Sequence, residues 1–365
     1  MSNPYKNLPD HCFWSRAHRV EHISDVDPVV KGGFLLKENM KIATAGSCFA
    51  QHIARHLQKA GYNYFVTEEV PHPIIPEAVA ASFGYGVFSA RYGNLYTARQ
   101  LLQLAKRAYG EFTPEEDFWR NADGYLIDPF RPSVQPGGFV SEDEFYADRE
   151  VHFAAVRRIV EESDVFVFTF GLTEAWRAKS DGAVFALAPG VAGGLYSTDQ
   201  HEFVNFSVDE IVADFEEFVT MMRSKNPNVK ILMTVSPVPL IATAREDESV
   251  LSATSYSKSV LRVAVEQLRE RLNDAHYFPS YEVITGNYNR GAYYSENLRD
   301  VEEDGVSHAM SLFMKHYTEQ SQPSLASRVK KKLTKRKSAS NKFQEEVGEA
   351  LAVICDEELI EKSVK

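Results

Sequence analysis

The sequence predicts an α/β protein in which a parallel sheet is covered by helices on both faces. Short apolar runs of strand length alternate with amphipathic stretches of helical period, and this alternation is typical of a parallel sheet. The run at 165–170 is almost continuously apolar, as expected of a strand that is buried on both sides. A tight Gly46-Ser47 turn joins the first apolar run directly to a helical pattern, which indicates a strand–turn–helix unit.

The first half of the chain contains the opening strand and helix units. Residues 42–45 predict a strand, and residues 49–60 carry apolar side chains at helical spacing until Gly61 ends the pattern. Residues 64–66 are aromatic and β-branched, which predicts the next strand. Residues 98–109 have the spacing of Leu and Ala that indicates a helix.

The second half of the chain repeats this alternation. Residues 143–162 predict an amphipathic helix ahead of the strand at 165–170. Ser207 and Glu210 have the spacing of a capping box, which predicts that a helix begins there. The remaining predicted elements are a strand at 229–235, a helix at 255–272, a short strand within 277–284 and a closing helix at 309–320.

Composition divides the chain into three predicted segments. Residues 1–38 form an N-terminal arm, residues 39–320 form the α/β domain, and residues 321–365 form a basic linker with a short helix. Two long insertions, 110–141 and 177–206, interrupt the domain. Loops of this length are usually functional or have packing of their own.

Each of the two parts of the C-terminal segment, the basic stretch and the helical pattern, has two interpretations. Residues 328–342 hold eight basic residues and no acidic residue, so they are either a solvated linker or a contact with an anionic membrane or glycan. Residues 343–362 carry a weak helical pattern that either stays apart from the domain or docks on it. Because residues 321–365 contain no candidate ligand, we expect the domain to fold and to keep its chemistry without them.

Charge and cysteine usage exclude several classes of protein. The chain has 365 residues and a net charge of −11, so a general nucleic-acid surface is not expected. No stretch approaches the roughly 18 apolar residues of a transmembrane helix. Cys12, Cys48 and Cys355 are too widely spaced for a disulfide framework or a CxxC metal site, which favours a bacterial-type cytoplasm or an equivalent reducing compartment. Because no metal or phosphate-loop motif is found, we expect no cofactor and no catalytic metal.

Ser47 is the first candidate functional residue. Its place after a buried strand and before a helix puts its hydroxyl at the carboxyl end of the sheet, where α/β proteins bind ligands. The unpaired N–H groups of the first helical turn point to the same place and can stabilise an oxyanion. The alternative is that Ser47 only caps the helix.

Asp304 and His308 are the second candidate group. A serine nucleophile needs a base within hydrogen-bond reach, and the base needs a carboxylate that orients it. His308 lies just before the predicted closing helix, and Asp304 is four residues before it. The alternative is a surface loop that carries a solvated histidine.

The order of these residues resembles the SGNH/GDSL hydrolases, in which the nucleophile follows the first strand and an Asp and a His lie together near the end. Residues 46–50 read Gly-Ser-Cys-Phe-Ala, the signature of the GSCFA family, which is a branch of SGNH-like proteins. The resemblance covers roughly residues 40–310. Four further blocks resemble that family: SARYGNLYT at 89–97, FGLTEAW at 170–176, VSPV at 235–238 and YFPSYE at 277–282.

This resemblance implies a three-layer α/β/α fold with a flavodoxin-like sheet and an oxyanion hole. The implied donors are the N–H of Ser47 or Cys48 together with Gly93 or Asn94, which match the glycine block of the family. Thr173 stands where SGNH enzymes place an Asn, and its hydroxyl supplies one donor. A lost oxyanion donor costs on the order of 10²–10³ in rate, so this difference bears on activity.

Five side chains are predicted to line a substrate cleft: Arg91, Tyr92, Tyr96, Glu174 and Trp176. A Trp beside a carboxylate is a common sugar-binding pair, although a Trp packed in the structure is the alternative. The thiol after Ser47 also has two interpretations. It either has a lowered pKa at the helix N-terminus or points into the core.

Two functions are consistent with the sequence. The first is an SGNH-like serine esterase or O-acyltransferase that forms an acyl-enzyme on Ser47, with His308 as base and Asp304 orienting it. Its partner would be an acylated small molecule or, as the resemblance implies, a glycan or polysaccharide. The alternative is a non-catalytic glycan-binding or assembly protein on a degenerate hydrolase fold. Thr173 and the Asp–His spacing, which is one residue longer than the usual Asp-x-x-His, favour this alternative.

Overall fold

A computed structural model describes residues 3–319, 353 and 355–364 of the protein. The strands are β1 (Ile42–Gly46), β2 (Trp119–Arg120), β3 (Leu126–Ile127), β4 (Val165–Phe170), β5 (Glu174–Ala178), β6 (His201–Asn205), β7 (Lys230–Val235) and β8 (Ala275–Tyr277). The helices are α1 (Trp14–Ala17), α2 (Ala50–Ala60), α3 (Glu77–Ser82), α4 (Ala98–Ala108), α5 (Glu142–Glu162), α6 (Val208–Lys225), α7 (Val250–Arg271), α8 (Ser280–Thr285), α9 (Glu303–Tyr317) and α10 (Glu358–Ser363).

The centre of the fold is a parallel sheet with the order β1-β4-β7-β8. On the outer side of β1, Tyr64 forms a single parallel bridge with Ile42, where the sequence predicts a strand. Counted with Tyr64, the chain order across the sheet is 2-1-3-4-5, which is the flavodoxin-like order. The predicted α/β class with a parallel sheet is therefore confirmed.

Helices cover both faces of this sheet. Alternate residues of β4 point to opposite faces, since side chains alternate along a strand. Phe166 and Phe168 pack in an apolar cluster with residues of α4, α6 and α7, whereas Val165 and Val167 pack with residues of α2, α8 and α9. The result is a three-layer α/β/α architecture. No helix in the described ranges is long and apolar enough to cross a membrane.

The predicted capping box of α6 is confirmed. The Ser207 side chain accepts from the backbone N–H of Glu210, and the Glu210 side chain accepts from the N–H of Ser207. These two bonds satisfy donors that the first turn of a helix leaves unpaired.

Both predicted insertions contain antiparallel strand pairs. β2 pairs with β3 in the first insertion, and β5 pairs with β6 around the second. The ring of Trp119 from the first packs at 5.1 Å from that of Phe185 in the second. The insertions therefore have packing of their own, beside the carboxyl ends of the central strands.

Two element boundaries near the C-terminal end of the domain differ from the prediction. The last strand is only Ala275–Tyr277, because Pro279 lacks a backbone N–H and the chain enters α8 directly after it. The closing helix begins at Glu303 rather than at residue 309, so His308 lies inside it. Because a glycine is not expected inside a helix, Gly305 kept the sequence from indicating this earlier start. A Cβ at Gly305 would lie 2.8 Å from Tyr293 Cβ, so close packing explains the glycine.

Candidate active site

Ser47 lies at the carboxyl edge of the sheet, as predicted from the strand–turn–helix pattern. β1 ends at Gly46, whose φ is +129° and whose hypothetical Cβ would lie 2.3 Å from the Thr169 carbonyl oxygen. Only glycine fits this turn without strain. The backbone N–H of Ser47 donates to the same Thr169 oxygen at 3.0 Å. That N–H is therefore engaged, and the structure does not offer it to an oxyanion.

The hydroxyl of Ser47 is buried and has no hydrogen-bond partner in the described part of the chain. The residue is 2% exposed. α2 has Phe49 at its N-cap and no side-chain cap bond, so the alternative that Ser47 only caps the helix is wrong. An unpaired buried hydroxyl costs about 1–3 kcal/mol, so the stability of the fold does not explain a serine here.

The structure does not bring His308 to Ser47. The Nε2 of His308 lies 2.8 Å from the Val26 carbonyl oxygen, and Nδ1 lies 2.8 Å from the Tyr293 hydroxyl. Because a carbonyl only accepts, Nε2 carries the proton and Nδ1 accepts from Tyr293 when the ring is neutral. Burial lowers the pKa of His308, so this neutral form is favoured.

Asp304 is exposed on the first turn of α9 and is not a hydrogen-bond partner of His308. The earlier start of α9 explains this difference from the expected pair. His308 occupies the second turn of the helix and faces the core, whereas Asp304 faces solvent. The described structure therefore contains no Ser47–His308–Asp304 hydrogen-bonded triad.

Asn94 is the predicted oxyanion residue with the clearest geometry. Its backbone N–H and its side-chain Nδ2 both donate to Oδ2 of Asp356, at 3.3 and 2.9 Å. Two donors on one oxygen are the arrangement that an oxyanion needs. Gly93 has a φ of +67° and shapes the turn that aims these donors. Thr173 is fully buried, and its hydroxyl has no partner among the described residues.

The segment Cys355–Glu357 lies in this site. Cys355 Sγ is 3.2 Å from Cys48 Sγ, Asp356 Oδ1 accepts from Ser133 at 2.5 Å, and the backbone N–H of Glu357 lies 3.4 Å from the Tyr96 hydroxyl. This part of the C-terminal segment is therefore docked on the domain, which was one of the two alternatives for its helix. The basic stretch 328–342 lies outside the described residues.

The buried thiol of Cys48 favours the core interpretation of this residue. Its pKa is raised, first by the hydrogen bond with the Cys355 thiol and then by burial. A thiol with a raised pKa is protonated at neutral pH and is a poor nucleophile. The helix N-terminus therefore does not activate Cys48.

Lys258 is a functional candidate that the sequence reasoning missed. It is 2% exposed, and its Nζ donates to the Gly171 carbonyl oxygen at 2.7 Å. Gly171 also touches Ser47, because a Cβ on Gly171 would lie 2.9 Å from Ser47 Cβ. Burial lowers the pKa of Lys258 to about 8. Its sequence signal is a lysine on the apolar stripe of α7, three residues before Leu261 and seven before Val265.

Arg299 is the second missed residue. Its Nη2 lies 3.2 Å from Oε2 of Glu357 and 3.8 Å from Sγ of Cys355. It comes from the loop between α8 and α9, where charged residues are ordinary. Nothing in the local sequence distinguishes Arg299 from its neighbours, so only the fold reveals it.

Three of the five predicted substrate residues share one pocket. Tyr96, Glu174 and Trp176 line a cavity of about 260 Å³, together with Glu357. The Trp176 ring packs edge-on against Tyr196 at 5.1 Å. Burial raises the pKa of Glu174.

Arg91 and Tyr92 belong to the core rather than to this pocket. Arg91 Nη1 lies 2.6 Å from Asp148 and 3.4 Å from Glu68, and Arg91 is 3% exposed. The Tyr92 hydroxyl donates to the Thr44 carbonyl oxygen. Both side chains are held by partners in the folded domain, and neither lines the pocket that Tyr96, Glu174 and Trp176 share.

No cluster of three or more His, Cys, Asp or Glu residues in the described chain could hold a metal ion.

Replacing Thr173 by Val tests the predicted oxyanion role of its hydroxyl. If the hydroxyl meets the developing oxyanion, turnover of an acyl ester should fall by on the order of 10²–10³ with little change in KM. Val has the same shape, and the hydroxyl has no partner to lose among the described residues, so the melting temperature should not fall. Unchanged turnover would remove Thr173 from the site.

Comparison with solved structures gives weak overlaps with esterases. A carbohydrate esterase family 3 protein from Talaromyces cellulolyticus is 11% identical, with a TM-score of 0.32 and coverage of 82% of this chain and 100% of that one. A serine-to-alanine mutant of an acetyl esterase, with acetate ion, is 10% identical, with a TM-score of 0.31 and coverage of 75% and 93%. A Clostridium thermocellum family 3 carbohydrate esterase is 10% identical, with a TM-score of 0.25 and coverage of 76% and 94%. Overlaps of this size do not transfer an activity.

Sequence comparison gives a more specific result. No curated protein sequence matches the chain. Residues 41–313, however, match the model of the GSCFA family, and this range includes Ser47, Asn94, Lys258 and Arg299. The match extends over most of the chain and agrees with the blocks identified in the sequence. The protein is therefore a member of the GSCFA family.

Proposed function

We propose that the protein transfers or hydrolyses O-acyl groups through an acyl-enzyme on Ser47. The observation that carries this proposal is the buried, unpartnered hydroxyl of Ser47 at the carboxyl edge of the sheet. Close by in the same site, Asn94 directs two donors at one carboxylate oxygen. A nucleophile and a pair of oxyanion donors are the minimum that acyl transfer needs.

Lys258 is the proposed base, because it contacts Gly171 beside Ser47 and burial lowers its pKa to about 8. The neutral amine takes the proton of Ser47 as its Oγ bonds to the acyl carbon. The resulting ammonium returns that proton to the alcohol oxygen as the ester C–O bond breaks. Water then completes hydrolysis, or an acceptor hydroxyl completes transfer, by attacking the acyl-enzyme and releasing Ser47.

The proposed substrate is an acylated glycan or small molecule. The pocket lined by Tyr96, Glu174 and Trp176 has about 260 Å³ and aromatic walls, which suits a sugar ring. A carboxylate beside a Trp also supplies an acceptor for sugar hydroxyls. These features support a sugar near the reacting ester.

A fluorophosphonate probe tests the proposal, since an activated serine bonds to its phosphorus and releases fluoride. The full-length protein and its Asp356→Asn/Glu357→Gln variant should both be labelled. The variant should be labelled faster, because it lacks the two carboxylates that bind residues 355–357 to Asn94 and Arg299. Peptide mapping should place the label on Ser47, and Ser47→Ala should not be labelled. If neither protein is labelled, the proposal is wrong.

Matched variants separate the two possible bases. Lys258→Met should lower the labelling rate by on the order of 10²–10⁴, the usual contribution of a general base. His308→Asn should keep the labelling rate but lower the melting temperature, because it disturbs the bonds with Val26 and Tyr293. The reverse result would return His308 and Asp304 to the catalytic role predicted from the sequence.

The second candidate function is a non-catalytic glycan-binding or assembly protein. The observation that favours it is the engagement of both His308 nitrogens away from Ser47. Glycan binding without any labelling of Ser47 would support this function over the enzyme.

The labelling rate should rise with pH through about 8, the pKa that burial gives Lys258. The amine accepts a proton only in its neutral form, which increases as pH rises through its pKa. The neutral fraction grows by about tenfold between pH 7 and 9, and the rate should follow. Rates at each pH, corrected for hydrolysis of the probe, check this. Lys258→Met should lack the rise, and an identical profile in that variant would exclude Lys258 as the base.

A further inference from the structure

The C-terminal segment 355–357 places two carboxylates inside the candidate site. Asp356 is 3% exposed and Glu357 is 6% exposed. One oxygen of Asp356 accepts two bonds from Asn94, and the other accepts from Ser133. A buried carboxylate is stable only when donors surround it. The residues around Asp356 thus form a built anion site.

Two cations face the second carboxylate. Arg299 pairs directly with Glu357, and the buried Lys258 is close enough for Glu357 to favour its charged form. If residues 355–357 left the site, both cations would lose this carboxylate. Such a change is unfavourable unless another anion takes the place of the carboxylate.

The position of the segment also limits access to Ser47. Cys355 lies against Cys48, Asp356 binds Asn94, and Glu357 reaches the Tyr96 hydroxyl. A Cβ on Gly171 would lie 2.9 Å from Ser47 Cβ and 3.1 Å from the Tyr96 ring, so Gly171 packs against both residues. Ser47 is 2% exposed while these contacts are in place, so an ester reaches its hydroxyl only after the site opens.

We propose that this site binds a carboxylate-bearing sugar and that residues 355–357 occupy it as an internal substitute when no ligand is bound. The ligand carboxylate takes the place of the carboxylates of Asp356 and Glu357. The sugar ring enters the adjoining pocket, which Tyr96 and Trp176 line and which reaches Glu357. The inference rests on the proposed function only in treating such a sugar as the carrier of the reacting ester.

Competition from the segment predicts a specific pattern of affinity. In the open state, residues 355–357 have left the site. A ligand that binds only this state has its apparent affinity reduced in proportion to the fraction of molecules that are open. If the segment is absent from the site in about one molecule in ten, removing its carboxylates increases the apparent affinity about tenfold. Removal of the same charge from exposed positions outside the site should not change the affinity.

Calorimetric titration of the full-length protein with D-glucuronate tests this inference. The natural chain should bind weakly, and Asp356→Asn/Glu357→Gln should bind at least tenfold more tightly. Adding Arg299→Gln to that variant should reverse the gain. Glu358→Gln/Glu361→Gln is the matched control, because it removes the same charge from two exposed positions of the adjoining helix α10. D-Glucose, which lacks the carboxylate, should not bind measurably to any of them.

Equal glucuronate affinity in the natural chain and the Asp356/Glu357 variant would overturn the internal-substitute role. A gain that survives Arg299→Gln, or tighter binding of D-glucose 6-phosphate than of glucuronate, would overturn the carboxylate site. Circular dichroism melts of each variant show whether it is folded. If Arg299→Gln does not fold, Arg299→Lys takes its place. Titrations in a Ser47→Ala background should give the same affinities. Failure of the proposed catalysis is thus distinguishable from failure of this inference.

Discussion

Oxidation of the full-length protein with diamide should join Cys48 to Cys355 and abolish labelling of Ser47 by a fluorophosphonate. The two sulfur atoms are 3.2 Å apart in the reduced protein, so a disulfide forms with little movement. Diamide accepts the two hydrogens of the thiols and becomes the hydrazine. The new bond keeps residues 355–357 in the site, and the probe cannot then reach the buried hydroxyl. Dithiothreitol should restore labelling fully.

Two variants make this expectation specific. Asp356→Asn/Glu357→Gln, which should label fastest when reduced, should also lose its labelling on oxidation. Cys355→Ser should keep its labelling after diamide. Cys12 is exposed and remote in sequence, so peptide mapping should find it outside the disulfide. Full labelling of a protein in which mass spectrometry shows the Cys48–Cys355 link would contradict the placement of the segment over Ser47.

Arg91→Met should destabilise the protein by about 3–5 kcal/mol, the usual cost of breaking a buried ion pair from one side. Arg91 is 3% exposed and bonds to Glu68 and Asp148, and Glu68 in turn bonds to His152. Methionine fills similar space but leaves the buried Glu68 carboxylate with fewer partners. Urea unfolding of both proteins, analysed for the free energy of unfolding, measures the loss.

Arg269→Met is the matched control for this measurement. Arg269 forms a half-exposed ion pair with Glu266 on the surface of α7, and such pairs contribute about 0–1 kcal/mol. Equal losses in the two variants would show that Arg91 has no special structural role. Glucuronate affinity should be the same in folded Arg91→Met as in the natural chain, and a large loss of affinity would return Arg91 to the substrate cleft.

The contacts behind the Arg91→Met expectation and the Cys48–Cys355 disulfide could not be read from the sequence. Arg91 is predicted from the sequence to line the cleft, yet its partners Glu68 and Asp148 lie 23 and 57 residues away. Sequence spacing does not show which distant carboxylates a buried arginine meets. The contact between Cys48 and Cys355 spans 307 positions and is equally hidden.

His308 shows the same limit at shorter range. A polar stretch with Gly305 indicated a loop, but that glycine packs against Tyr293 inside α9. The earlier start of α9 at Glu303 puts His308 on the second turn of the helix, where it contacts Val26 and Tyr293. Lys258 is the converse case, because its place on an apolar stripe was visible and its burial follows from it.

The sequence by itself determined the α/β class, the strand–turn–helix at Gly46-Ser47 and the place of Ser47 at the carboxyl edge of the sheet. These features depend on local period and on the conformational freedom of one glycine, and both can be read from neighbouring residues. Only the tertiary structure decided which groups surround Ser47. The family resemblance already implied Asn94, but Lys258, Arg299 and Asp356 come from three further distant segments, and their meeting depends on how the helices and loops pack around the sheet. Burial among these groups then lowers the pKa of Lys258 to about 8, because it removes the ammonium from water.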